Sequence, residues 1–477
     1  MAISMQILSD LMKLVSLENV KTDNVQITGA DPVFDSPFRV SEAAAAILAA
    51  QGVVLDQIWQ RRGNKRQEIS VDVMAAGVAT MGVFLQSQHG YPIPVPDPDY
   101  PSVGFYPTKD GRHILLHGGY PKLRDGLLDF LRCSNNRRSL GAAVSTYNAF
   151  ELEDAIAENG LGAAVARTHE EWLAHPQGQA VAAAPVVEII KIADSDPVPF
   201  KNNSDRPLAD IKVFDATHVI AGPTCAKTLA SFGAEVLHIF SPTRPRLPPF
   251  DIDTGHGKLN AMVDLKNPAD NQKARELIKS ADIFSQSYRP GKMTSLGFSP
   301  HGLAELKPGI IVVSTACYGH EGPWHYRAGF EQLAQSASGM ALAQGSIDNP
   351  QLAPTFPNDY LTGFLGALGT LVALLRRSEE GGSYHVRVAL ARSATWLQSY
   401  GKVDSALRPP KAVPQDYIQQ YMLKEIGPLG VLSFFGSPLR MSATPPRFDR
   451  PAVPLGYHYP AWAADQERLM KEAMASS

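Results

Sequence analysis

The chain has 477 residues, 44% of them hydrophobic and 19% charged, with a formal net charge of -3. That length holds more than one packed core, and the near-neutral balance excludes the strong basic field expected of a nucleic-acid or anionic-membrane binder. Cys133, Cys225 and Cys317 are too scattered in sequence for a disulfide framework or a clustered zinc site, so no metal set is expected and a reducing compartment fits, the cytoplasm first with the mitochondrion left open. No apolar run is read as reaching the roughly 18 to 20 residues of a membrane span.

The opening residues, Met1 to Leu17, read as an amphipathic surface helix, with Asp10 and no arginine to make a targeting signal. Ser41 to Arg62 is alanine-rich and helical, with Ser41 a plausible N-cap, and Ile69 to Val73 alternates as a short strand. Prolines crowd Tyr91 to Pro107 and mark a boundary. His113 to His117 is then a strand, Lys122 to Leu131 and Phe150 to Asn159 are helices, Glu170 to Leu173 opens a short helical stretch, and Val186 to Ile192 is a strand. Asp194 to Pro207, polar and proline-bearing, is the clearest linker.

Beyond it the rhythm becomes strand, helix, strand, helix. Strands are expected at Lys212 to Phe214, Glu235 to Ile239, Ile283 to Gln286 and Ile310 to Ser314. Helices are expected at Thr224 to Ser231, Asn271 to Ser280, Glu331 to Met340 and Tyr360 to Arg377. This alternation implies an α/β fold, a doubly wound, mostly parallel sheet with a smaller α+β domain beside it. One unit occurs twice: a small-residue helix ending in paired arginines (Arg61-Arg62, Arg376-Arg377), a polar glycine turn, and a Val-x-Val strand. The ungapped register favours a partial duplication. The expected parts are residues 1–90, a helix-strand segment carrying the first copy; 91–193, a small module; 194–207, the linker; 208–400, the Rossmann-like domain; and 401–477, a closing segment.

Several strings resemble one family in its own order. Lys212 to Glu235 contains Ala221-Gly222-Pro223; Val263 to Pro268 follows Gly257-Lys258; Tyr288-Arg289-Pro290-Gly291 precedes Leu296-Gly297; Gly329 to Gln335 and Asn358 to Gly363 complete the series. The series resembles the first half of family III coenzyme A transferases, the group that includes formyl-CoA and carnitine-CoA transferases and the 2-methylacyl-CoA racemases. Residues before the linker resemble that family's second half, through Thr108 to Gly111, Leu116 to Gly119, Glu151 to Glu158 and His175-Pro176. The halves are thus in rearranged order, which leaves open the family's interlocked dimer and which chain supplies each wall of the active site. The overlap between them is the duplicated unit.

The resemblance implies transfer of coenzyme A from an acyl-CoA donor to a small carboxylic acid, with these as substrates, no tightly bound cofactor, a homodimer, and neither nucleic acid nor membrane as partner. It places the acyl-accepting carboxylate at Asp359, in a strand-to-helix loop just before an apolar helix; the competing reading is that Asp359 only caps that helix. Glu331 orients the substrate or Asp359, or simply begins its own helix. Phe330 stands where racemases carry a histidine, and phenylalanine moves no proton, which counts against racemisation. His218, Val219 and Ala221 fall beside bound coenzyme A, with Tyr288; Lys258, Arg289 and Lys292 are candidates for its phosphates. Ile220 makes the acyl wall less polar than in formyl-CoA transferase, and Gly118-Gly119 is a candidate flap. Ala44 stands opposite Asp359 in the first copy, so one catalytic centre per chain is expected. The alternatives are an acyl-CoA racemase or isomerase and a catalytically silent acyl-CoA-binding protein.

Overall fold

The computed structural model describes residues 2–95, 100–202, 204–404, 406, 407, 409 and 412–476. Residues 96–99 of the expected proline-rich boundary and residue 203 of the expected linker lie outside the described residues. The elements that build the site are α1 (Val40–Arg61), β1 (Glu188–Ala193), β2 (Lys212–Ala216), α2 (Ala221–Ser231), β3 (Glu235–Phe240), β4 (Lys258–Met262), β5 (Ile283–Gln286), β6 (Ile311–Ala316), α3 (Glu331–Ser338), α4 (Pro357–Glu380) and β7 (Ser383–Ala389).

Seven strands form one sheet in the order β4-β3-β2-β5-β6-β7-β1. All neighbours pair in parallel except β1, which lies antiparallel on β7 with Ile189 opposite Val386. The direction of winding reverses between β2 and β5, where Val213 faces both Val236 and Ile283. Such a switch point opens a crevice at the carboxyl ends of the strands, and ligands of doubly wound sheets bind there. Every residue of β6 is buried, as a parallel strand covered on both faces requires.

Two differences from the sequence reading concern boundaries. Strand β1 lies within the small module by sequence but belongs to the large sheet, because its only described ladder is with β7. The first 90 residues likewise share one core with the large sheet: Ile47, Val54 and Leu55 of α1 cluster with Leu365, Leu368 and Val372 of α4. The closing segment joins the same body, with Leu439 to Met441 pairing antiparallel to Ile69 to Val71. The small module keeps its own core, three antiparallel strands (Val103–Pro107, His113–His117, Ala163–Val165) under the helices Pro121–Leu131, Arg137–Val144 and Ala149–Glu158.

The duplicated arginines serve parallel ends. Arg62 donates to the carbonyls of Lys201 and Pro207 at 2.8 Å each and to Ser204 Oγ at 2.8 Å, while Arg377 donates to Asp282 at 2.9 Å and Gly309 O at 3.2 Å. One helix, α4, is long and apolar enough by length and composition to cross a bilayer, contrary to the sequence reading, yet that stretch is wholly buried within the protein. It is the core helix of the large domain.

Candidate active site

Helix α4 starts at Pro357, whose fixed φ and missing N–H suit a first turn. Asp359 is therefore the third residue of the helix rather than part of a preceding loop, and it does not cap: the N-cap position is Phe356, which makes no side-chain bond. The cap comes from elsewhere. Glu331, 2% exposed in the first turn of α3, accepts the backbone N–H of Asp359 at 2.6 Å on Oε2. Its Oε1 accepts the Asn358 side-chain amide at 2.9 Å, the Asn358 backbone N–H at 3.3 Å and the Gln335 amide at 2.7 Å. Gln335 in turn accepts the N–H of Ala353 at 2.8 Å, tying down the approach to α4. In the first copy, Asp31 does the same for α1, accepting from the N–H groups of Ser41 and Glu42 at 3.0 and 2.9 Å. Ser41 is consequently inside the helix and not its N-cap.

Asp359 is 6% exposed and lines a cavity of about 2140 Å³, and among the described residues no donor reaches its carboxylate. Burial, followed by the nearby Glu331 charge, pushes its pKa well above the usual carboxylate range. Burial also raises Glu331, to about 7, against the four donors that favour its charged form. The four donors all favour a charged Glu331, and among the described residues none does so for Asp359.

One side of the cavity is the crevice of the large sheet. His218, Val219, Ile220 and Ala221, between β2 and α2, line it together with Tyr288, Arg289 and Lys292 after β5. Val219 adopts φ 70°, a left-handed conformation unusual for a β-branched residue, and such strain persists where packing fixes a functional turn. His218 is held by Ser287, whose Oγ lies 3.0 Å from its Nδ1 and accepts its backbone N–H at 2.9 Å. Burial keeps its pKa well below the ordinary imidazole value. Arg244 and Lys266, which the sequence reading passed over, add cations to this wall, with Arg244 4.8 Å from the centre of the Tyr288 ring. Lys258 does not reach the cavity. It is 2% exposed, and its ammonium donates to Asp215 at 2.9 Å and to Pro223 O at 3.0 Å, so the lysine neutralises a buried strand-end carboxylate instead of meeting phosphate.

The facing wall comes from the small module of the same chain. Gly119 lines the cavity, whereas Gly118 is buried behind it and donates its N–H to Ser102 O at 2.7 Å. His117 and Tyr120, absent from the expected site, flank Phe330: the His117 ring stacks at 4.1 Å and the Tyr120 ring lies at 5.8 Å. The string Leu116 to Gly119 was visible in sequence, but only its glycines were read as functional. Nothing in a linear pattern shows that this histidine meets Phe330 more than 200 positions away. Among the described residues no cluster of three or more His, Cys, Asp or Glu has a metal-holding arrangement.

The family model described as CoA-transferase family III matches residues 24–203 and 208–415. The chain belongs to that family. The gap between the two matched stretches falls inside the linker read from sequence, at residues 204–207. An acetyl-coenzyme A transferase of Hypoxylon pulicicidum is 33% identical over 326 residues, covering 63% of this chain and 55% of that protein. An acyl-CoA transferase of Gibberella moniliformis is 29% identical over 403 residues, covering 75% of this chain and 70% of that one. The crystal structure of Rv3272 from Mycobacterium tuberculosis is 30% identical, with a TM-score of 0.39, over 41% of this chain and 59% of that one. The chain thus spans little more than half of the Hypoxylon relative and, in a 32% identical match, 47% of the formyl-CoA:oxalate CoA-transferase of Afipia carboxidovorans.

Proposed function

We propose that the chain moves coenzyme A from an acyl-CoA donor to a carboxylic acid acceptor through covalent adducts on Asp359. The observation that carries the reading is the carboxylate of Asp359, which lines the cavity and meets no donor among the described residues, while Glu331 holds its backbone by the N–H. Ionised Asp359 attacks the thioester carbonyl, and the carbon–sulfur bond breaks to give an aspartyl-acyl anhydride and the coenzyme A thiolate. The thiolate then attacks the Asp359 carbonyl of the anhydride, releasing the donor acid and leaving an aspartyl thioester. The acceptor carboxylate repeats the two steps in reverse and leaves with the thiol. No oxidant or metal enters the balance, and a carboxylate is at once a sufficient nucleophile and a good leaving group.

The adenosine phosphates are assigned to Arg244, Lys266, Arg289 and Lys292, and the acyl group to the wall of Ile220, Phe330, Gly119 and Tyr120. Asp359→Ala should reduce exchange between acyl-CoA and acid by at least about 10³-fold, because a nucleophile has no substitute here. Intact-protein mass spectrometry after incubation with acyl-CoA should show a coenzyme A adduct on the wild type and none on Asp359→Ala. Exchange retained in a folded Asp359→Ala protein would reject the assignment.

A further inference from the structure

The acyl wall carries a hydroxyl that the protein itself does not use. Tyr120 follows the strand ending at His117 and begins the helix Pro121–Leu131, its carbonyl accepting the Arg124 N–H at 2.9 Å. Its ring leans on Phe330, with centroids 5.8 Å apart and planes 32° from parallel. Among the described residues the hydroxyl has no hydrogen-bond partner. Unlike His117 Nδ1, it is not a sealed atom: Tyr120 is half-buried and lines the cavity. A phenylalanine would make the same ring contact, so packing alone does not account for the hydroxyl.

The hydroxyl lies within the fields of three charges, those of Arg244, Asp251 and Asp359. Burial, against the pull of Arg244 and with the two carboxylates adding to it, holds the phenol above the ordinary tyrosine range, so it stays a protonated donor. It acts on Asp359 across a gap without bonding it, since among the described residues that carboxylate meets no donor. Attack on a thioester turns a neutral carbonyl oxygen into an anion. A neutral donor fixed in a cavity stabilises that charge without pairing off the attacking carboxylate, as a lysine or arginine would.

We propose that Tyr120 is a catalytic residue, its hydroxyl donating to the thioester carbonyl oxygen as Asp359 attacks. The carboxylate electron pair forms the new carbon–oxygen bond, and the carbonyl π pair moves onto the oxygen held by Tyr120. Return of that pair breaks the carbon–sulfur bond and expels the coenzyme A thiolate. The phenol proton stays on Tyr120 throughout. This rests on the transferase reading of the cavity and adds to it the group that holds the oxyanion.

Tyr120→Phe keeps the ring contact with Phe330 and removes only the donor. Its kcat should fall about 100-fold, the usual loss for one oxyanion donor, with the urea unfolding midpoint unchanged. Binding is read separately with a coenzyme A thioether of the same chain length, which has no carbonyl oxygen. Its Kd should agree between wild type and Tyr120→Phe to within about twofold, because the lost bond belongs to the transition state. A kcat within about threefold of the wild type overturns the proposal, as does a loss matched by equally weakened thioether binding, which would make Tyr120 a packing residue. Intact-protein mass spectrometry separates this from failure of the parent reading. A wild type that forms no coenzyme A adduct brings down the transferase reading and the proposal with it, whereas adducts forming on Asp359 at equal rates in both proteins reject Tyr120 alone.

Discussion

At the scale of single residues, the site turns on how one negative charge is divided between Glu331 and Asp359. Four N–H groups converge on Glu331 and, among the described residues, none on Asp359, an asymmetry that favours the charge on the residue that positions and the proton on the residue that attacks. Attack needs that proton gone. The rate constant kcat/KM should therefore rise with pH through the titration of the pair, whose Glu331 member stands at about 7, instead of being flat above pH 5 as for an ordinary aspartate. The linkage has the opposite sign for stability. Carboxyls raised in the folded state hold protons that the unfolded chain releases near pH 4, so their contribution is fully present below that pH and is lost as pH rises toward 7. Glu331→Gln separates the two roles. Removing the charge should move the rising limb of the pH profile to lower pH, while setting an amide NH2 among four N–H donors should lower kcat about 10–100-fold by loosening Asp359. A limb that stays in place would mean that the two carboxyls are not electrically linked.

At the scale of elements, the alternation beyond residue 208 is readable because buried parallel strands leave apolar runs, and the four strands expected from Lys212 to Ser314 are found to within two residues at each end, whereas β4 (Lys258–Met262) has no counterpart among the expected strands. Helix starts were less legible. Local sequence points to Ser41 as a cap and Tyr360 as a beginning, but the caps are Asp31 and Glu331, carboxylates brought in from elsewhere, and local sequence carries no sign of them. Side-chain direction was equally hidden: the string holding Lys258 matched the family, yet its ammonium turns inward to Asp215. Gly363, by contrast, ends the string Asn358 to Gly363, and its reason is packing. A Cβ there would lie 2.6 Å from Ala221 O and 2.7 Å from Thr224 Cβ, so it lets α4 press against the start of α2. Asp359 is one turn away on the same face. Gly363→Ala should cost about 1–3 kcal/mol of stability by overpacking and raise KM for acyl-CoA, because Ala221 and Asp359 both line the cavity. Urea unfolding midpoints and steady-state kinetics check both, and an unchanged midpoint would show that the helices separate freely.

At the scale of the whole molecule, the rearranged order has a physical consequence: large sheet and small module meet within one chain, so both walls of the cavity are its own. The connection between them is not free to swing to a neighbour. Arg62 straps Lys201, Ser204 and Pro207, and the N–H of Val198 is held by Arg377 O at 3.1 Å. The module is also locked on its far side, where the buried Gln177 donates to Tyr318 O at 2.6 Å and to Glu321 O at 2.8 Å and accepts from the Trp324 N–H at 2.6 Å. If copies exchanged modules, every site would combine Asp359 of one chain with Gly119 of another. Co-expressing Asp359→Ala with a variant whose small-module wall is blocked, Gly119→Trp, distinguishes the two arrangements. Exchanged modules would rebuild one intact site in each mixed pair and restore activity, whereas single-chain sites leave every site carrying one lesion. We expect no recovery, together with a specific activity of the wild type that does not fall on dilution; recovered activity in the mixture would show that the strap opens and that the cavity is shared between copies.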